Sequence, residues 1–312
     1  MAQDTTAEEY RRFAAEEARG KSALYEEFAR GIADDTKLLQ FLLSLPAEKR
    51  QPNLVLASVR LSLGTPDDYA RFRELVLGNS DELREVILSH RTQTNEPGRC
   101  AELLPALAML PQPLALLEPG CSAGLCLLLD RYAYDYGGRV LGQGQPVLPC
   151  QPDGPVPIPM EVPTVVWRAG IDVEPVDVMD PHEVAWLEAL VWPGQAERLE
   201  RLRTALAAAR QNPPRLVRGD AVQLLDHIAS ESPREATLVI FHSALLPYLS
   251  DDERLFFVER VQDLNAVWVA NEASGILPRA AGAPEAPGAF SVSVNGSEVA
   301  LADPHGGWLR WF

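Results

Sequence analysis

The sequence predicts an α/β protein: a mostly parallel sheet flanked by helices, finished by a C-terminal antiparallel hairpin and preceded by an all-helical N-terminal segment. Three observations carry this. Up to residue 112 the apolar residues recur at helical spacing, as with Leu24, Phe28 and Ile32. From 114 onward, short apolar runs without helical period alternate with helical stretches, which is how parallel strands and their crossovers read. Near the end, SVSV and SEVALAD flank Asn295-Gly296, a dipeptide that favours a tight hairpin turn.

Taken in order, the helical face of Leu24, Phe28 and Ile32 is followed by Leu38, Leu39, Leu42 and Leu43 after a cap at Asp34 or Asp35. Thr65-Pro66-Asp67-Asp68 reads as a helix start, with Thr65 as the cap, Pro66 in the first turn and the acids at the positive end of the dipole. Tyr69, Phe72, Leu75 and Val76 form the stripe behind it. LALLEP (114–119) is the first buried strand, and SAGLCLLLDRY (122–132) is predicted as its helix. Gly and Pro crowd residues 133–163, so a hairpin excursion is expected there. TVVWRAGID (164–172), RLVRGD (215–220), ATLVIFHS (236–243) and NAVWVANE (265–272) are further strands. Helices are expected from Asp180 to near Trp192, over about 195–210, over AVQLLDHIA (221–229) and after the capping box Ser250-Asp251-Asp252-Glu253. This gives two domains, a helical cap at 1–112 expected to close the substrate side and an α/β domain at 113–312.

Hydrophobic residues at 46% and charged residues at 23% are ordinary for a globular chain, so disorder over most of it is excluded. Lys+Arg number 28 against 44 Asp+Glu, for a net charge of -16. That surface repels nucleic-acid phosphates and anionic lipid, so neither is expected as a partner. Cys100, Cys121, Cys126 and Cys150 have neither CxxC nor zinc spacing, and His182 and His305 lack partners at metal spacing, so no metal site is expected. With a polar N-terminus, reduced thiols and no membrane-length apolar run, a cytoplasmic protein is expected.

The chemistry is sought where strands end. Glu118-Pro119-Gly120-Cys121-Ser122-Ala123-Gly124 joins the first strand to its expected helix. Its small residues permit a tight bend and close approach of a ligand to bare backbone. It resembles the first motif of class I S-adenosylmethionine-dependent methyltransferases, an acid-x-G-x-G-x-G loop, with Ser122 in place of the middle glycine. The same GCSAG also spells the G-x-S-x-G elbow of α/β-hydrolases, with Ser122 as nucleophile and His242 or His305 as base. Against that reading, no strands and no HGGG-type segment precede it.

The methyltransferase resemblance implies a Rossmann-like sheet, S-adenosylmethionine as cofactor, and Glu118, Gly120, Ser122 and Gly124 around it. It further implies a ribose-binding acid at the end of the second strand, Asp172. That residue lies 48 positions after Gly124, against about 20 in nucleotide folds. The excursion accounts for the excess, and Asp135 is the substitute. Asp220 and Ala221 would meet adenine, although Asp220 also reads as a helix cap. His242, at the fourth strand end, would face the methyl group and could serve as base, although a lone histidine there is more often structural.

A closer resemblance rests on Gln93-Thr94-Asn95-Glu96, Arg99-Cys100, CSAG (121–124), LLLDRYAYDYGG (127–138), ID-x-x-P-x-DV-x-D (171–180), LVWP (190–193), FHSALLPYL (241–249) and DPHG (303–306). Together these are similar to an uncharacterised bacterial family labelled as a domain of unknown function, whose fold is regarded as methyltransferase-like. Gln93, Asn95, Glu96 and Arg99 are either caps of the next helix or ligands for the cofactor's amino-acid end or a small-molecule substrate, Arg99 suiting a carboxylate. Asp130, Arg131, Tyr132, Tyr134, Asp135 and Tyr136 read as a hydrogen-bonded corner. The reading is a methyltransferase acting on a small molecule. Its rivals are a Ser122 esterase and a non-catalytic ligand-binding protein of the same fold. The methyl acceptor and the oligomeric state are not legible.

Overall fold

The computed structural model describes residues 2–93, 95–279 and 286–312. Thr94 and most of the proline-rich stretch at 278–287 therefore lie outside the described residues. The chain forms two compact units, one of residues 1–93 with 180–200 and one of 94–179 with 201–312. The division falls earlier than the expected boundary at 112, because the helix at 100–108 packs with the sheet. Residues 180–200 join the helical unit.

The helical unit begins with α1 (Ala2–Arg12), continued by a π-turn over Phe13–Ala18, then α2 (Ala23–Asp34), α3 (Thr36–Leu43), α4 (Pro52–Leu63), α5 (Tyr69–Gly78) and α6 (Ser80–Ser89). Asp35 caps α3 by accepting from the amides of Lys37 and Leu38. α5 starts later than expected: Asp68, not Thr65, supplies the cap, accepting from Arg71 N–H. The interior is apolar, with Phe28 stacked on Phe72 at 4.6 Å between centroids. Gly31 is required at its site, since a β-carbon there would lie 2.3 Å from the Tyr69 ring.

The sheet unit opens with α7 (Cys100–Ala108) and β1 (Leu114–Pro119). The predicted helix at 122–132 is absent. A turn is followed instead by a 3₁₀ segment, Cys126–Arg131. Leu125 O accepts both Leu128 N–H at 3.2 Å and Tyr132 Oη at 2.8 Å, and Tyr134 Oη donates to Leu129 O, so the tyrosine hydroxyls pin this 3₁₀ segment. The excursion is β2 (Ala133–Tyr136) paired antiparallel with β3 (Arg139–Leu141) and parallel with β4 (Val147–Pro149), after which β5 (Gln151–Asp153) joins the large sheet. β6 (Val165–Asp172) follows. The chain then contributes α8 (Pro181–Ala189) and the start of α9 (Ala196–Gln211) to the helical unit. It returns for β7 (Arg215–Arg218), α10 (Ala221–Ala229), β8 (Thr237–Ser243), α11 (Asp251–Asp263), β9 (Val267–Ala273), β10 (Phe290–Val294), β11 (Ser297–Ala302) and β12 (Trp308–Trp311). Ser250 and Glu253 form the expected capping box on α11. Asn295 and Gly296 both take positive φ in the β10–β11 turn.

Among the described residues, nine of the twelve strands form one sheet in the order β5-β12-β11-β10-β9-β8-β1-β6-β7, with β7, β6, β1, β8 and β9 mutually parallel. The first crossovers lead outward from β1 to β6 and β7, and the next return to β8 on its other side. The sheet therefore changes direction between β1 and β8, and a crevice opens beyond their carboxyl ends.

Candidate functional site

At that crevice lies a small hollow of about 10 Å³, lined by Asn95, Glu96, Arg99, Glu118, Gly120, Cys121, Leu125, Cys126 and Ser243. β1 delivers Glu118, the bend after it delivers Gly120 and Cys121, and the last residue of β8 delivers Ser243. Gly120, Ser122 and Gly124 all have positive φ, 73°, 47° and 66°. The bend is packed as well as tight. A β-carbon on Gly120 would lie 2.8 Å from Leu245 Cδ1, and one on Gly124 would lie 2.8 Å from Leu216 and Pro214. Gly170 makes room for Cys121, whose sulfur would be 2.4 Å from a β-carbon there.

Asn95 holds this bend with both ends of its amide. Its Nδ2 donates to Ser122 Oγ at 2.8 Å, and its Oδ1 accepts from Ala123 N–H at 3.1 Å. Asp172 holds it from the other side: Oδ2 accepts from Ser122 N–H and Oδ1 from Glu174 N–H, both at 2.8 Å. Each of its oxygens keeps a further lone pair. Asp172 is thus first of all a clamp on the bend. Asp220 is exposed and caps α10, accepting from Gln223 N–H at 3.1 Å, and Ala221 is the first residue of that helix. Neither lines the hollow. Asp135, the substitute acid, accepts from Gly138 N–H within the β2–β3 turn.

Glu118 is 5% exposed, and among the described residues its Oε2 has no hydrogen-bond partner. Burial, aided by Cys126 and Asp172, pushes its carboxyl well above the usual carboxylate range, while Arg99 pulls the other way. Ser243 Oγ is likewise buried without a partner among the described residues. Arg99 donates from Nε to Pro304 O at 2.9 Å and lies over the Phe290 ring at 4.8 Å. Glu96 Oε1 accepts from Gly98 N–H at 3.1 Å and faces Arg201 Nε at 3.4 Å. DPHG (303–306) packs against this segment so closely that a β-carbon on Gly98 would lie 2.3 Å from His305 O. The sequence motifs Glu96–Cys100 and DPHG are therefore two sides of one wall. Gln93 ends the first segment of the helical unit.

His242 is placed elsewhere. Strand side chains alternate between faces, so Ser243 turns toward the hollow and its neighbour His242 turns into the core. There Nδ1 meets Glu272 Oε1 at 2.6 Å and Nε2 accepts from Trp268 Nε1 at 3.0 Å. Glu272 Oε1 also accepts from Leu245 N–H at 2.9 Å. His242 thus positions the end of β8 and does not face a substrate. The elbow reading loses one of its two candidate bases: Ser122 has the left-handed backbone of an elbow, but His242 is committed to Glu272 and Trp268, which leaves only His305.

Sequence reasoning missed Cys121, Leu125, Cys126 and Ser243 as lining residues. The alternation in VIFHS was available, but both of its faces are apolar there, so nothing marked the inward one. The tyrosine cluster is the expected corner: Tyr136 Oη donates to Ala101 O at 2.7 Å, and Arg168 forms a two-pronged pair with Asp130 at 2.7 and 2.9 Å. Among the described residues, no group of three or more His, Cys, Asp or Glu is arranged to hold a metal, and no helix is long and apolar enough to cross a membrane.

Compared with known proteins, residues 7–311 match the model of a family described as "Uncharacterized protein conserved in bacteria (DUF2332)". No curated protein matches the chain. Among solved structures, one titled "A Pericyclic Reaction enzyme" is 14% identical at a TM-score of 0.25, over 83% of this chain. The match takes in 53% of that structure's chain, so this chain spans about half its length. A likeness at that TM-score assigns neither fold nor chemistry.

Proposed function

The chain belongs to this bacterial family, whose description assigns no activity, and from its own residues we propose that it transfers a methyl group from S-adenosylmethionine to a small-molecule acceptor. The observation that carries the reading is Glu118: a buried carboxyl with an unpartnered oxygen, at the crevice where β1 and β8 end. The five parallel strands, ordered third-second-first-fourth-fifth across the sheet, support it. So does the bare backbone at Gly120.

The residues fit one end of the cofactor. The hollow holds only about 10 Å³, so a ligand's amino-acid end would enter by moving the lining apart. Glu118 would give up its proton and accept from the ligand's ammonium, regaining the partner that burial denies it. Ser243 Oγ adds a second polar contact. Arg99 keeps guanidinium N–H groups beyond those spent on backbone carbonyls and would take the carboxylate. Asp172 would reach the sugar through the lone pairs that its two amide bonds leave open. When bound, the cofactor supplies a methyl group on a positively charged sulfur. The protein's part is alignment and exclusion of water. His242 is assigned no proton transfer.

Calorimetry tests this. S-adenosylmethionine or S-adenosylhomocysteine should bind with on the order of micromolar affinity, and Glu118→Gln, which preserves shape, should weaken binding about tenfold or more. Gly120→Val, which fills the bend, should abolish it. If neither compound binds the intact chain, the methyl-transfer reading fails.

A further inference from the structure

The hollow has room for about one water molecule, so part of its surroundings must move before a ligand can enter. The side chain laid against the bare bend is Leu245. A β-carbon on Gly120 would lie 2.8 Å from Leu245 Cδ1 and 3.5 Å from its Cβ and Cγ. Backbone, more than core packing, puts it there. Ala244, directly after the last residue of β8, takes a left-handed φ of 56°, a conformation that residues with a β-carbon rarely adopt. That reversal carries Leu245 off the line of the strand and onto the glycine. Three hydrogen bonds hold it: Ala244 N–H donates to Asn271 O at 3.1 Å, and Leu245 and Leu246 N–H donate to Glu272 Oε1 at 2.9 and 3.4 Å. The buried pair of Glu272 and His242, which faces away from the hollow, thereby fixes the point from which Leu245 projects. On the far side Leu246 is fully buried, and Arg254 donates to its carbonyl from Nε and Nη2 at 3.3 and 3.1 Å. Leu245 itself is only half-buried. Its backbone is anchored on both sides, while its side chain has solvent to turn into.

We propose that Leu245 is a retractable plug on the ligand site. In the ligand-free chain it covers Gly120 and keeps the hollow shut. On binding, its side chain turns out to solvent about Cα–Cβ and Cβ–Cγ, with Ala244 and Leu246 held in place, and the ligand lies against the Gly120 backbone instead. The free energy of withdrawing the plug subtracts from the affinity of any ligand, so Leu245 sets how tightly the site binds. The proposal rests on the methyl-transfer reading only for the identity of that ligand.

Two measurements test it, one without the cofactor. Cys121 and Cys126 line the hollow and Cys150 does not, so the intact chain is treated with methyl methanethiosulfonate and the modified peptides are followed by mass spectrometry. In Leu245→Ala, Cys121 and Cys126 should react about tenfold or more faster than in the parent, with Cys150 unchanged. Leu245→Met, which keeps the bulk of the plug, should behave as the parent. By calorimetry, Leu245→Ala should bind S-adenosylmethionine or S-adenosylhomocysteine about tenfold or more tightly than the parent does. Unchanged rates at Cys121 and Cys126 overturn the proposal. So do rates that rise together with Cys150, because the fold and not the hollow has then opened, and so does equal affinity of parent and Leu245→Ala. If the thiols open as expected and neither compound binds either protein, the plug stands and the methyl-transfer reading fails.

Discussion

Inside the helical unit Phe28 stacks on Phe72, and the buried polar side chains among the described residues are only Thr6, Ser22 and Ser58. The interior of the sheet unit instead holds Glu96, Arg99, Glu102, Glu118, His242, Asn271 and Glu272. Burying such groups costs free energy unless each finds a partner, and most do: His242 with Glu272 and Trp268, Glu102 with Asn271 at 2.8 Å, Arg99 with Pro304 O. Among the described residues, the buried atoms without a partner include Glu118 Oε2 and Ser243 Oγ, and both belong to residues that line the hollow. The helical unit is held mainly by packing. The sheet unit buries many more charged groups, and two of its unmet polar atoms belong to residues at the hollow.

The contrast is broken most sharply by Phe72→Ala. Phe72 is 1% exposed between Phe28 and Tyr69, and truncating such a ring costs about 3–5 kcal/mol. The loss should be the same at every pH, because no titrating group is involved. Urea denaturation at several pH values checks this, and a strongly pH-dependent loss would contradict a purely apolar core there.

Asn95→Ala probes the sheet unit with a smaller expected effect. It strips Ser122 Oγ of its donor and leaves Ala123 N–H without its acceptor. Loss of the Ala123 N–H acceptor together with the Asn95–Ser122 bond should cost about 1–3 kcal/mol. Hydrogen exchange at Ala123 should rise well before β1 is affected. Unchanged protection there would mean that the bend does not depend on this clamp.

Much of this architecture was legible because local rules and tertiary packing agree. The alternation of strands and helices, the cap at Asp35, the box at Ser250 and Glu253, and the turn at Asn295-Gly296 are local chemistry and appear where expected. The helix at 122–132 was not legible. Its apolar, leucine-rich sequence favours a helix, but the hydroxyls of Tyr132 and Tyr134, one at its end and one past its end, bind its carbonyls in the tighter 3₁₀ form. Of the site, Glu118, Gly120, Asn95, Glu96 and Arg99 converge at the hollow as the sequence implied. Asp172 and Asp220 are engaged by backbone amides, a role that short spacing rules anticipate only for Asp220. His242 went to the other face because strand parity cannot be read where both faces are apolar.

Glu118→Gln sharpens the comparison with an effect that appears as a slope rather than a step and vanishes at low pH. Burial raises the Glu118 carboxyl in the folded chain, the nearby Cys126 and Asp172 adding to it. In the unfolded chain a glutamate titrates near about 4.3. Between that value and the higher folded one, the folded state binds more protons, so this group's contribution is complete below the unfolded pKa. It is lost as pH rises through the folded pKa. Gln has the same shape and no charge to desolvate. The stability of Glu118→Gln relative to the parent should therefore climb as pH rises above the unfolded value of about 4.3, by at most about 1.4 kcal/mol per pH unit, until the folded carboxyl ionises. Urea midpoints across that range measure it. Adding a ligand whose ammonium pairs with Glu118 should flatten the climb, because the parent's carboxylate then has its partner. A flat difference without any ligand would mean that Glu118 is ionised and solvated in the folded chain, and the polar burial that sets the sheet unit apart from the helical one would not include it.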